Sequence, residues 1–483
     1  MCAPRFFHGR LPLHSAPCSG TIKRYMGREA RYVDRPVWEM LEDNRKRLSF
    51  HMPGHKGRGP FGPVDAYALD TTELPGTDDL YCPENGLRLA QERYARAAGS
   101  GAALFLHNGS TAGIQAMLML YAHPGDTVLL PRNAHLSAVN GCILGDLRPV
   151  FMPLDFTGDG YGYLREETVL DALAAHPEAR CLLVTRPDYY GGCLPLGRIA
   201  AAARKQGCRL VVDEAHGAHL PWLPSLIGAA QAGADAWVQS CHKTLPSLTG
   251  TAVLHLRDPE DGPRALRLLR MTQTSSPNYV LMMSVDDARA YMEAQGRERL
   301  TAVCAAADAL RAQLPALGYG DGQAAWGDTG LEFDPTRLVI RAPQGGEALD
   351  RALAQRGMDV EMHDIHRVVC ILTAMDDGAR LARLGEALRE IPPQAVELPV
   401  TAYAQPLPPR RLPPREAALG QVEWVELSRA GGRVAAASAG LYPPGIPLVA
   451  PGEMITEQTA AALAQAGPRR RFGVEGEKLL CVR

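Results

Sequence analysis

The sequence lacks several features that define large classes of protein. Its 483 residues contain no apolar run that approaches the roughly 20 residues needed to span a bilayer, so we expect no membrane partner. Its formal net charge of −2 shows no excess of basic residues, and we expect no nucleic-acid partner. Its 11 cysteines form no CxxC pair, which argues against a disulfide framework or a zinc ribbon and fits a reducing cytoplasm.

Metal-binding patterns are also missing. The close histidine pairs His51/His55, His216/His219 and His363/His366 do not form the HExxH pattern, and we expect no metal. The first 28 residues carry basic but no acidic residues and lack the continuous apolar segment of a secretory signal. We expect residues 1–28 to be a disordered tail; a transit peptide, or a true start at Met26, are the alternatives.

From about residue 100, short apolar runs alternate with segments of helical periodicity. AALFLHNG is followed by TAGIQAMLMLYA, and RLVVDEAH is followed by ADAWVQS. This alternation predicts an α/β fold with a mostly parallel sheet. Because ligands bind at the carboxyl ends of parallel strands, we expect HNGST, VTRPD, VVDEAH and QSCHK to meet along one edge.

The first of these segments, HNGSTAGIQAM, predicts an anion site. A glycine turn leads into a helix whose first residues are Ser110 and Thr111. Free N–H groups at a helix start, together with two hydroxyls, suit a phosphate. A plain helix cap is the alternative, because Ser and Thr favour that position in any case.

Two further segments supply a carboxylate and an amine. Asp213 follows the apolar run RLVV, and Lys243 follows the next strand, AWVQS. Neighbouring strands would point both side chains into one pocket. His135 follows another strand and offers a flat ring that could stack on a ligand. A hydrogen-bonded structural histidine is the alternative interpretation. Lys56, between glycines in a loop, is interpreted as a surface or substrate-loop residue.

Together these parts match one cofactor, pyridoxal 5'-phosphate. It requires an amine to bind its aldehyde, a carboxylate against its ring nitrogen, an anion cradle and a flat group against its ring. We therefore interpret Lys243 as the cofactor lysine, with Ser240 and His242 beside it near the phosphate. Glu214 is either a second acid or a solvated side chain.

The ordered motifs resemble those of the bacterial ornithine/lysine/arginine decarboxylases, which are fold-type I pyridoxal-phosphate enzymes. The resemblance extends from about residue 30 to residue 460. The motifs that carry it are FHMPGHKG (50–57), DTTELPGTDDLYCPENGLRLAQ (70–91), NGSTAG (108–113), DEAHGAH (213–219), SCHKTLPSLTG (240–250), TQTSSPNY (272–279) and YPPGIPLVAPGEMIT (442–456).

The resemblance implies a role for each candidate residue. Lys243 would carry the cofactor, Asp213 would hold its ring nitrogen, and His216 would lie near the ring as a candidate acid. The remaining cofactor residues would be Ser110, Thr111, His135, Ser240, His242 and Thr274, the last reaching the phosphate of a partner subunit in a homodimer or higher oligomer. Glu73 and Asp78, in an acid-rich segment, are the candidates for binding the distal cation of a basic substrate.

Periodicity and proline content, together with the resemblance, predict a domain layout. A major cofactor-binding domain with an N-terminal arm would span residues 29–300, and a small α/β domain would span 301–390. A proline-rich connector at 391–415 would lead to a C-terminal decarboxylase segment at 416–483. The sequence departs from relatives where Leu136 replaces a common lysine and where AAASAGL (435–441) lacks an acid that relatives often have.

The predicted activity is the decarboxylation of arginine, lysine or ornithine to an amine and carbon dioxide in the cytoplasm. Two alternatives stay open. One is a fold-type I aminotransferase or β-eliminating lyase, whose substrate carboxylate is usually clamped by an arginine. The other is a non-catalytic protein that binds pyridoxal phosphate.

Overall fold

The computed structural model describes residues 41, 44, 46–62, 65–74, 76–398, 405–442 and 445–483. The predicted tail at 1–28 therefore lies outside the described residues, as does part of the predicted connector. Contacts divide the chain into two units, Met1–Arg47 and Leu48–Arg483. The fold that follows is that of the second unit.

A seven-stranded sheet forms the centre of this unit. Its strands, in chain order, are β1 (Ala102–Leu106), β2 (Thr127–Pro131), β3 (Arg148–Met152), β4 (Cys181–Thr185), β5 (Arg209–Asp213), β6 (Ala236–Gln239) and β7 (Ala252–Leu256). They lie in the order β1-β7-β6-β5-β4-β2-β3. All neighbours are parallel except β7, which runs antiparallel to both β1 and β6. The predicted mostly parallel sheet is confirmed.

Helices pack against both faces of this sheet, and for that reason most residues of its strands are apolar and buried. The helices of the unit are α1 (Ala66–Leu69), α2 (Gly86–Ala98), α3 (Ser110–Tyr121), α4 (Leu136–Gly145), α5 (Glu166–Ala175), α6 (Gly197–Lys205), α7 (Ala229–Ala232), α8 (Cys241–Thr244), α9 (Gly262–Thr272), α10 (Tyr279–Tyr291), α11 (Arg297–Gln313), α12 (Gly346–Gln355), α13 (Gly378–Glu390), α14 (Pro414–Leu419) and α15 (Glu457–Ala466). A π-helical turn at Met292–Gly296 joins α10 to α11.

Helix α3 is packed closely against the sheet, which fixes where its first turn lies. Its sequence is apolar on nearly every side, and most of its residues are buried. A Cβ atom at Gly113 would lie 2.7 Å from Val238 Cγ2 and 2.8 Å from Leu106 Cδ1, so only glycine permits this approach. The preceding Gly109 has φ of 84°, a left-handed conformation that favours glycine and aims the helix start at the strand ends.

A second, antiparallel sheet follows in the chain. It contains β8 (Gly320–Asp321), β9 (Arg337–Arg341), β10 (Met362–His363) and β11 (Arg367–Ile371), in the order β8-β9-β11-β10. Helices α11, α12 and α13 contribute to the core beneath it. Two two-stranded pairs join distant segments: Leu48–Phe50 with Met358–Val360, and Gly192–Cys193 with Glu332–Phe333. A third, Asp155–Phe156 with Gly162–Tyr163, is a local hairpin.

The C-terminal segment forms two small three-stranded sheets. Its strands are β12 (Val422–Glu426), β13 (Ala439–Leu441), β14 (Ile446–Val449), β15 (Arg471–Phe472), β16 (Val474–Glu475) and β17 (Lys478–Val482), arranged as β12-β17-β16 and β14-β13-β15. A buried ion pair attaches it to the end of β2. Arg132 donates from Nη1 and Nη2 to the two oxygens of Glu453, at 2.8 Å each. The domain boundaries at 300, 390 and 415 stay predictions.

Candidate active site

A cavity of about 370 Å³ lies at the carboxyl ends of the central strands. Its lining combines strand ends of the seven-stranded sheet with the C-terminal segment, which contributes Tyr442, Gly445, Ile446 and Phe472. Of the candidate residues, Ser110, His135, Asp213, His216 and Lys243 line it. The predicted edge of the sheet is therefore where the structure brings these residues together.

Lys243 enters the cavity from the single turn of α8, which begins directly after strand β6. Its Nζ atom lies 3.2 Å from Nε2 of His216. Burial lowers the pKa of Lys243, and the nearby carboxylates of Asp213 and Glu361 oppose that change. A lysine with a lowered pKa holds more of its amine in the neutral, nucleophilic form.

Asp213 is the last residue of β5, and β5 and β6 are paired in parallel. Asp213 is 4% exposed and lines the cavity, where its Oδ1 accepts a hydrogen bond from the N–H of Ala215 at 3.1 Å. In the register of this pair, Asp213 lies opposite Val238. The strand pairing thus brings a carboxylate and the Lys243 amine to one pocket, as their spacing predicts.

The start of α3 forms a cradle of hydroxyl groups. The Ser240 hydroxyl donates to the Ser110 hydroxyl at 2.9 Å, and Ser110 is the first residue of the helix. Thr111 is exposed and is not among the residues that line the cavity. His242 supports the turn, because its Nδ1 donates to the carbonyl of Thr251 at 2.9 Å.

His135 caps helix α4, and its ring lines the cavity. Its Nδ1 accepts from the N–H of Ser137 at 3.2 Å. This hydrogen bond fixes the ring beside the strand end, and the next residue, Leu136, lines the cavity as well. A role for His135 in stacking on a cofactor ring stays a prediction.

Two further polar groups in the cavity were not among the candidate residues. Asn133 Oδ1 and Thr185 Oγ1 are buried and have no hydrogen-bond partner within the described chain. Buried polar atoms normally find partners, so a polar ligand suits this place. Thr185 lies at the end of β4, within the VTRPD segment whose position the alternation predicts. An amine, a carboxylate, a hydroxyl cradle and these unpartnered atoms fit pyridoxal phosphate.

The two proposed substrate residues and Thr274 do not line the cavity of a single chain. The Asp78 carboxylate accepts backbone N–H groups from Asp79, Glu84, Asn85 and Leu87. Partial burial would raise the pKa of Asp78, but these hydrogen bonds lower it. Asp78 thus stabilises a loop. The Thr274 carbonyl accepts from the Tyr81 hydroxyl at 2.6 Å.

Two interpretations drawn from sequence are wrong. Lys56 is buried rather than on the surface, and its Nζ donates to the carbonyls of His51 at 2.7 Å and Ile371 at 2.9 Å. Glu214 is neither solvated nor in the cavity lining. It is 1% exposed and accepts from the N–H of Ala229 and from Nε2 of Gln239.

Within the described part of the chain, no helix is long and apolar enough to cross a membrane, and no cluster of three or more His, Cys, Asp or Glu side chains is arranged to hold a metal ion.

Comparison with solved structures identifies the fold. The lysine decarboxylase A of Pseudomonas aeruginosa superposes with a TM-score of 0.73 at 20% identity, covering 86% of this chain and 74% of that one. The constitutive lysine decarboxylase of E. coli gives 0.70 at 19% identity, covering 83% and 74%. The predicted fold-type I class, with its mostly parallel central sheet, is confirmed.

Comparison of sequences identifies the family. The model of the Orn/Lys/Arg decarboxylase major domain matches residues 36–327, and that of the C-terminal domain matches residues 400–465. An arginine decarboxylase of Bacillus subtilis is 32% identical over 439 residues, covering 86% of this chain and 89% of the relative. One from Halalkalibacterium halodurans is 31% identical over 442 residues, covering 86% and 90%. The chain is a decarboxylase and belongs to the Orn/Lys/Arg decarboxylase family.

Proposed function

We propose that this chain uses pyridoxal 5'-phosphate to decarboxylate a basic amino acid, and that arginine is the first substrate to test. The observation that carries the proposal is the meeting of Lys243, Asp213 and the Ser110–Ser240 hydroxyl pair around one cavity. Arginine comes first because two relatives that match most of the chain at about a third identity are named arginine decarboxylase. Lysine and ornithine remain the other candidates.

Each part of the cofactor has a residue to hold it. Lys243 would bind the aldehyde and Asp213 would face the ring nitrogen. Ser110, at the start of α3, and Ser240, which donates a hydrogen bond to it, would bind the phosphate. His135 would contact the ring. When bound, pyridoxal phosphate supplies an electron sink for the electron pair that the substrate's carboxylate leaves behind.

The chain's own groups have defined tasks in this chemistry. The carboxylate of Asp213 would keep a proton on the ring nitrogen, because a buried negative charge favours the cationic form beside it. The apolar side chains of Ile446 and Phe472 line the C-terminal side of the cavity, where they would help to exclude water. Either the Nζ atom of Lys243 or His216 would return a proton to the substrate's Cα once carbon dioxide has left.

The lining favours decarboxylation over transamination. An aminotransferase usually clamps the substrate's carboxylate with an arginine, whereas loss of carbon dioxide is helped by a less polar surrounding. Among the described residues of one chain, the cavity lining contains no arginine, and it includes Ile114, Leu136, Ile446 and Phe472.

We also propose that the working unit is a homodimer or a multiple of one. Thr274 and Glu73 do not line the cavity of their own chain, which suits residues that serve a partner's site. Glu73 remains the candidate for the substrate's distal cation, and Asp78 is a weaker one because its carboxylate already binds backbone N–H groups. Sedimentation at assay concentration checks the assembly; an active monomer would contradict it.

The activity is tested with the purified chain, added pyridoxal phosphate and a panel of single amino acids. We expect carbon dioxide and the matching amine from arginine, with slower or no release from lysine and ornithine, and no release by Lys243→Ala. Release only from acidic, aromatic or small neutral amino acids would refute the substrate class. Formation of a keto acid without carbon dioxide would point to an aminotransferase instead.

A further inference from the structure

A buried line of polar side chains connects the second sheet to Lys243. Arg337, the first residue of β9, is 0% exposed. Its Nη2 atom lies 3.1 Å from Nδ1 of His216 and 3.2 Å from the His216 carbonyl oxygen. On the other side of the imidazole, Nε2 of His216 lies 3.2 Å from Nζ of Lys243. His216 is therefore held between a guanidinium and an amine.

The chemistry of these donors selects one form of His216. A guanidinium has only donors, so the Nδ1 atom that faces it must be unprotonated and accept. A neutral imidazole then carries its proton on Nε2, where it faces Lys243. If Lys243 were an ammonium, two donors would face each other, because an ammonium has no lone pair. A neutral Lys243 amine can instead accept a hydrogen bond from the Nε2–H of His216. The arrangement thus favours neutral groups at both His216 and Lys243.

Arg337 is itself held by charge. Its Nη1 atom lies 3.7 Å from Oδ2 of Asp334, which is also 0% exposed. Oδ1 of Asp334 accepts from the N–H and the hydroxyl of Thr336, at 2.9 and 2.7 Å. Nε2 of His219 lies 3.1 Å from Oδ2. Because these groups are fixed on and beside β9, the guanidinium has little freedom to turn away from His216.

We propose that Arg337 is a positioning residue that holds His216 as the neutral Nε2–H tautomer and thereby holds Lys243 as a free amine. The inference rests on the proposed function only for the role of Lys243 as the cofactor lysine. In the cofactor-free protein, His216 would then donate a hydrogen bond to Lys243. The sequence motif had instead suggested that His216 acts as an acid.

The charges around His216 agree with this assignment. Burial is the first cause that lowers the pKa of His216 well below its usual value, and the positive charge of Arg337 adds to it, as would any positive charge on Lys243, His135 or His242. The ring of Tyr189 lies edge-on to the imidazole at 5.1 Å. Removing the Arg337 charge takes away one cause of the low pKa, so the pKa values of His216 and Lys243 should both rise.

The tautomer can be read directly by nitrogen NMR. The full-length chain is prepared without cofactor and with ¹⁵N-labelled histidine, and His216→Gln assigns the resonance. At neutral pH we expect a protonated Nε2 and an unprotonated Nδ1 at His216. Arg337→Met should abolish this fixed tautomer, and Arg337→Lys, which keeps a donor and a charge, should retain more of it.

A matched control comes from the neighbouring strand. Arg367 on β11 is 1% exposed and bonds to Asp364 and to the carbonyl of Asp159, without contacting His216. Arg367→Met removes an equally buried guanidinium from the same sheet and should leave the His216 tautomer unchanged.

A second readout follows Lys243 in the same samples. Lys243 is labelled with an amine-selective reagent over a range of pH values, and mass spectrometry gives the labelling rate at each. The pH at which the rate is half its maximum is the titration midpoint of the Lys243 amine. Arg337→Met should raise that midpoint, because the positive charge of Arg337 is one of the causes that lower the pKa of Lys243. The Arg367→Met midpoint should match that of the wild type.

Two results would overturn the proposal. One is a wild-type His216 that carries its proton on Nδ1, or on both nitrogens, at neutral pH; this test needs no variant to fold. The other is an Arg337→Met protein in which tautomer and Lys243 midpoint are unchanged. Failure of the proposed function would give a different result: pyridoxal phosphate would not attach to Lys243, whichever tautomer His216 adopts.

Discussion

Replacing Glu214 by glutamine should stabilise the protein in a pH-dependent way. Glu214 directly follows Asp213 but points away from the cavity and into the core, where Oε1 accepts from Ala229 N–H at 2.8 Å and Oε2 accepts from Gln239 Nε2 at 2.7 Å. Burial raises the pKa of Glu214 from 4.5 to about 7, against the opposing effects of these hydrogen bonds and of Arg186. Above that pH the fold must contain a buried negative charge.

The size and sign of the effect follow from linkage. Below about pH 4.5 the carboxyl is protonated in both folded and unfolded chains, and its pKa shift costs nothing. As the pH rises, the unfolded chain ionises first, so stability is lost until the folded group ionises near pH 7. At about 1.4 kcal/mol for each pKa unit, the loss reaches about 3 kcal/mol.

Glutamine escapes this loss because it does not titrate. Its amide oxygen can still accept from Ala229, and its NH₂ group can donate to Gln239 Oε1, which has no partner within the described chain, once the Gln239 amide turns over. The free energy of unfolding, measured in urea, should favour Glu214→Gln by about 2 to 3 kcal/mol more at about pH 8 than at about pH 5.

Glu475→Gln is the matched control, because Glu475 is exposed. Its replacement should change the free energy of unfolding by the same small amount at both pH values. A Glu214→Gln difference that is equal at the two pH values would refute the buried-charge explanation. Decarboxylase activity should survive the substitution, because Glu214 does not line the cavity; loss of activity without loss of stability would restore Glu214 as a candidate acid.

Two other substitutions test how the site is built. Glu453→Gln leaves the buried guanidinium of Arg132 without its counter-charge, so the free energy of unfolding should fall by about 3 to 5 kcal/mol; an unchanged thermal midpoint would show that this pair does not anchor the C-terminal segment. Asp213→Asn should fold and still bind cofactor, but turnover should drop by about a hundredfold or more, because no negative charge holds the ring nitrogen protonated. Near-normal turnover would remove Asp213 from the mechanism.

The sequence could predict the central sheet because its strands are buried on both faces. Such strands are short apolar runs, and their carboxyl ends must meet at one edge, so Ser110, Asp213 and Lys243 could be placed together without coordinates. Strand β7 was not predicted. It lies between β1 and β6 and runs antiparallel to both, an arrangement that the alternation of strands and helices does not reveal.

The surroundings of the site depend on contacts between distant segments and could not be predicted in the same way. Arg337 reaches His216 from the second sheet, and nothing in its local sequence marks that contact. The glycines that flank Lys56 predict an open loop, and hence a surface or substrate-loop residue. The structure instead buries it, because two backbone carbonyls receive its ammonium group.

Mass spectrometry after borohydride treatment tests most directly whether Lys243 is the cofactor lysine. The purified chain is incubated with pyridoxal phosphate, reduced so that the carbon–nitrogen double bond becomes permanent, and digested. We expect the cofactor's mass on the peptide that contains Lys243, with none on Lys56 and none in Lys243→Ala. Attachment at Lys56 or elsewhere, or a decarboxylase that releases carbon dioxide without any attachment at Lys243, would contradict the proposed site.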